Sequence, residues 1–77
     1  METNQNALGR EIAAAREAAG LTQVALAAAI GVDPQTISRW ERGDRNPGPN
    51  DLYRIAQATG ATYRPRRLIA GKFRSNR

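Results

Sequence analysis

Gln35, Ser38 and Arg39 stand at a spacing that could do recognition chemistry. If the stretch D-P-Q-T-I-S-R-W-E-R-G, from Asp33 to Gly43, is helical, positions 34, 35, 38 and 39 project from one narrow arc. Residues at i, i+1, i+4 and i+5 cluster in this way on a helix of 3.6 residues per turn. The arc then shows an amide, a hydroxyl and a guanidinium beside the apolar edge of Pro34. An amide donates and accepts at once, a hydroxyl does either, and a guanidinium donates through a planar fork. This set suits hydrogen bonding to an external polar partner. It does not suit catalysis, because the chain has no histidine and no cysteine to act as base, thiolate nucleophile or zinc ligand. The carboxylates and hydroxyls are scattered without a helper, so no enzyme, no metal, no cofactor and no small-molecule ligand is expected.

The elements that must hold this arc are helical. Asp33 can cap the helix 34–42, Pro34 fits its first position, where a missing N–H costs nothing, and Gly43 can end it. Upstream, Leu8, Ile12, Ala15 and Ala19 form one stripe at helical spacing, with Asn6 as a candidate cap, Glu11 early and Gly20 as the stop. Thr22 can cap a short second helix whose inward residues are Ala25 or Leu26 with Ile30, ended by Gly31. After the turn-rich loop D-R-N-P-G-P, Asn50 and Asp51 open a fourth helix with Leu52, Ile55, Ala56 and Thr59 inward and Gly60 as its stop. The segment R-P-R-R-L-I-A-G predicts a short fifth helix from near Pro65, and no run alternates long enough to predict a strand. The expected fold is all-α, a compact four- to five-helix bundle. Residues 1–6 would be a flexible N-terminus, 7–63 the domain, and 64–77 a basic C-terminal helix or tail.

Seventy-seven residues bound this to one domain. No apolar run approaches the roughly twenty residues of a membrane span, and the polar start does not fit a secretory signal, so a cytoplasmic protein with no membrane partner is expected. Charge is segregated. Residues 1–51 carry five arginines against all seven acids, a net of −2, while residues 52–77 carry six arginines and one lysine, a net of +7. Such segregation reads as the footprint of a polyanion, nucleic acid first, or as a solubilising tail.

Only Gly31, Val32 and the cap Asp33 separate the second helix from the third, which is the plan of a helix-turn-helix. Ala27 and Ala28 would permit a close crossing, with Val32 and Ile37 filling the space beneath the turn. The stretch L-T-Q-V-A-L-A-A-A-I-G-V-D-P-Q-T-I-S-R-W-E-R-G-D-R-N-P closely resembles the helix-turn-helix of the phage repressor and Cro-like family, also called the xenobiotic-response-element family. The likeness extends upstream to L-G-R-E-I-A-A-A-R and downstream to L-Y-R-I-A-Q-A-T-G-A, covering about residues 7–62.

That resemblance implies a five-helix, lambda-repressor-like DNA-binding domain, most of whose relatives are repressors or regulators that bind as two-fold dimers. A homodimer on an inverted-repeat operator in double-stranded DNA, at the nucleoid, is the implied partner. An antitoxin-type interaction module that also binds its own operator is the alternative. The third helix would lie in the major groove, with Pro34, Gln35, Ser38 and Arg39 facing base edges. Gln35 suits adenine N6 and N7, Arg39 suits guanine O6 and N7, and Pro34 could meet a thymine methyl. Gln23 is carried over as a phosphate contact, and Thr36, Arg42, Arg45 and Asn46 would reach backbone oxygens on either side of the groove. Asp33 departs from the usual hydroxyl cap and is read as a cap alone. Arg16 and Glu41 occupy positions where such domains bury an ion pair, and Trp40 is read as packing. Arg64, Arg66 and Arg67 could touch phosphates or the minor groove, or merely solubilise. Leu68, Ile69 and Phe73 are the apolar candidates for dimer contacts. Cations surround them, so dimerisation could await DNA, where half-sites lie about 34 Å apart.

Overall fold

The computed structural model describes residues 7–71. Within them the chain forms α1 (Ala7–Ala18), α2 (Gln23–Ile30), α3 (Pro34–Arg42), α4 (Pro49–Thr59), β1 (Thr62–Arg64) and β2 (Arg67–Ile69). Asn6, the candidate cap of α1, and Phe73 lie outside the described residues. The second and third helices begin where a side chain satisfies an orphan N–H. Thr22 Oγ1 accepts from Ala25 N at 3.0 Å, and Asp33 Oδ1 accepts from Gln35 N at 3.1 Å. The fourth helix starts at Pro49, ahead of the expected Asn50–Asp51 opening. Gly48 is its cap residue, and Asp51, three residues on, accepts from Gly48 N at 3.1 Å. The turn between α2 and α3 is made by Gly31 at φ 80°, where a side chain would be strained.

The core is one cluster in which Ile12, Leu26, Ile37, Ile55 and Leu68 are the largest fully buried side chains. Trp40 belongs to it, in keeping with a packing role, and Val32 packs at its margin. Ala27 is buried but Ala28 is exposed, so of the two only Ala27 faces the neighbouring helices. Ala19 lies past the end of α1 and is exposed, so the stripe of that helix stops at Ala15.

The segment from Pro65 differs from the short helix predicted for it. Residues 62–69 form an antiparallel hairpin pairing Thr62 with Ile69, Tyr63 with Leu68 and Arg64 with Arg67. Pro65 and Arg66 are its turn, and Arg66 has φ 61°. Proline followed by a residue at positive φ is the sequence of angles a type II turn demands. Tyr63 and Leu68 face inward together, Leu68 at 1% exposure, so burying both favours the two-residue period over a helix. Leu68 is therefore core and unavailable for a dimer contact, whereas Ile69 is exposed. Glu11 of α1 fastens the hairpin, accepting from Leu68 N at 2.9 Å and Arg67 Nε at 2.7 Å. The Tyr53 and Tyr63 rings meet edge to face at 6.1 Å. Beyond β2 the chain presses on the end of α4, since a Cβ at Gly71 would lie 2.8 Å from the Gly60 carbonyl oxygen. Among the described residues no helix is long and apolar enough to cross a membrane.

Candidate nucleic-acid interface

The third helix has two unlike sides. Ile37 and Trp40 turn into the core at 0% and 6% exposure, packed with Leu26, Ala27 and Ile30 of α2. Pro34, Gln35 and Arg39 are exposed on the other side, with Ser38 and Thr36 half-buried at its flanks. Burying one stripe of a nine-residue helix leaves its remaining face open. The face is thus held by packing from behind.

Its far end is held by charge. Glu41 Oε2 accepts from Arg16 Nε at 2.6 Å, and Oε1 accepts from Arg16 Nη2 at 3.2 Å. The two side chains are only 14% and 10% exposed. Arg16 Nη1 also donates to the Leu21 carbonyl at 2.9 Å, which ties the pair to the turn between α1 and α2. The hydrogen bond to Glu41 raises the Arg16 guanidinium above its ordinary pKa, against an opposing effect of burial. A further donor, missed by spacing arguments, completes the cluster. Gln23 Nε2 donates to Glu41 Oε1 at 2.9 Å, so the amide at the start of α2 is oriented by the same carboxylate. Eighteen residues separate these two, and no periodicity signals such a link.

Ser38 and Arg42 are also brought together, one helical turn apart, with Arg42 Nη1 donating to Ser38 Oγ. Arg42 Nε donates to Asp44 Oδ2 at 2.9 Å, and both side chains stay more than half exposed. Here the i, i+4 spacing could have given the Ser38 contact. The loop after α3 folds back over its end, with Asp44 N donating to the Arg39 carbonyl at 2.9 Å. This places Thr36, Arg39, Trp40, Arg45, Asn46 and Asp51 around one surface recess. Asp33 stands exposed at the leading end of α3, with one carboxylate oxygen committed to its cap.

Two comparisons with known proteins bear on this arrangement. A family model described as helix-turn-helix matches residues 12–64, from α1 into the hairpin. An uncharacterized HTH-type transcriptional regulator of Sinorhizobium fredii, y4dJ, is 41% identical over 56 residues, 73% of each chain. With α2 and α3 joined by a glycine turn and the polar face of α3 left open, the chain belongs to the helix-turn-helix family of the Cro/C1 type.

Proposed function

We propose that this helix-turn-helix DNA-binding regulator is a repressor that reads a duplex operator with the outer face of α3. One observation carries the reading: Gln35 and Arg39 are exposed on a helix whose opposite side, Ile37 and Trp40, is core. Gln35 would pair its amide with adenine, Arg39 would place its fork on guanine, Ser38 would donate its hydroxyl, and Pro34 would meet a methyl group. Gln23, Thr36, Arg42, Arg45 and Asn46 would hold phosphates on the two flanks. Gln23 gives one N–H to Glu41 and keeps another for a phosphate, so the ion pair beneath would fix its direction. The protein would act in the cytoplasm as a homodimer on an inverted repeat, repressing by occupying the promoter. The regulator named in Sinorhizobium fredii supports the regulatory part of this reading.

Enrichment of a random duplex library on the purified protein tests it. A recovered inverted repeat, with half-sites about 34 Å or a multiple of that apart, is the expected result. Failure to enrich any sequence would remove the operator-reading role.

A further inference from the structure

The hairpin carries charge that the fold does not use. On its outer face Arg64 stands directly opposite Arg67, a pairing of like charges whose Cβ atoms in such a ladder lie about 5 Å apart. Glu11 compensates Arg67. Among the described residues, neither Arg64 nor Arg66 has an ion-pair partner, and both are exposed. Arg66 sits at the tip in a backbone conformation better suited to glycine or asparagine, so its side chain is held there at some cost to the turn.

The tip lies beside the loop that follows α3. Pro65 and Arg66 line a groove together with Asn46, Pro47 and Pro49. Asn46 also lines the recess that holds Thr36, Arg39 and Arg45. One strip therefore runs from the outer side of α3, through Arg45 and Asn46, to Arg66. Asp51 is the acid on it, and that carboxylate already accepts from Gly48 N.

We propose that the β1–β2 hairpin is a second contact to DNA, in which Arg64 and Arg66 hold backbone phosphates beside the loop after α3; this rests on α3 lying in the major groove. Guanidinium forks match phosphate oxygens in pairs. The outer face of the hairpin otherwise presents Thr62 and Ile69. Held on phosphates, the contact is indifferent to sequence, and its measurable signature is the release of counterions.

The test is the salt dependence of binding to a labelled pool of random-sequence duplexes, alongside the sequence preference of each protein. Each phosphate contact adds about 0.9 to the slope of log affinity on log salt, so Arg64→Gln with Arg66→Gln should lower it by about two units. The preferred sequence should not change. Arg66→Gly keeps the turn geometry and should lower the slope by about one unit. Arg54→Gln, on the far surface of α4 beside Ala29 and Ile30, should leave the slope unaltered. An unchanged slope in the double variant overturns the hairpin contact while leaving the reading of α3 intact. So does a loss of equal size per charge in Arg54→Gln, which would assign the effect to net charge. If the unaltered protein binds no duplex, both readings fall together.

Discussion

Two arginine–glutamate pairs fasten distant segments to α1, and they differ mainly in burial. Arg16–Glu41 joins α1 to the end of α3 with both side chains nearly enclosed, at 14% and 10% exposure. Arg67–Glu11 joins α1 to the hairpin with the arginine 59% exposed and the glutamate 22%. The same chemistry therefore has different consequences. In the first pair little water reaches the charges, so each depends largely on the other and the position of α3 follows from both. In the second, water competes for the guanidinium, and the more enduring part is the bond from Leu68 N to Glu11, which ends the hairpin on α1. The face that would meet DNA is anchored by the enclosed pair, whereas the hairpin is held by the more exposed one.

The largest loss of stability is expected from Glu41→Ala. It leaves Arg16 uncompensated and Gln23 without its acceptor, and should cost about 3–5 kcal/mol in urea unfolding. Joint replacement with Arg16→Met and Glu41→Leu should return most of that loss, because an apolar pair of similar volume has no charge to strand. Glu11→Gln should cost less, about 1–2 kcal/mol by the same measurement, since it removes an exposed pair but can still accept from Leu68 N. If Glu11→Gln proved as costly as Glu41→Ala, burial would not be what separates the two pairs. The smallest effect is expected from Arg66→Gly, which relieves the left-handed arginine and should stabilise the fold by about 0.5–1 kcal/mol in thermal unfolding.

The helices were legible because their signals are local and repeated. Leu8, Ile12 and Ala15, or Leu52, Ile55 and Ala56, mark an inward stripe, and Thr22, Asp33, Gly31 and Gly43 punctuate the chain as caps and stops. The outward arc of α3 followed from the same periodicity, since Ile37 and Trp40 claim the inner side. The hairpin was not legible. Three-residue strands give one alternation each, and Pro65-Arg66 lacks the glycine or asparagine that announces a positive φ. Proline at the first position of a helix and proline in a turn look alike from sequence, and the bond that decides between them, Leu68 N to Glu11, spans 57 residues. Gln23–Glu41 escaped for the same reason: a contact between helices has no period.

In the proposed reading the exposed arc of α3 meets base edges, with Arg39 as its most discriminating member. Base preference should be measured position by position for the unaltered protein and for Arg39→Ala on the enriched duplex. Arg39→Ala should lose about 1–3 kcal/mol of affinity and relax the preference at one position of each half-site, leaving the others as they were. An equal loss across all sequences, with every preference retained, would place Arg39 on the phosphates and contradict the account.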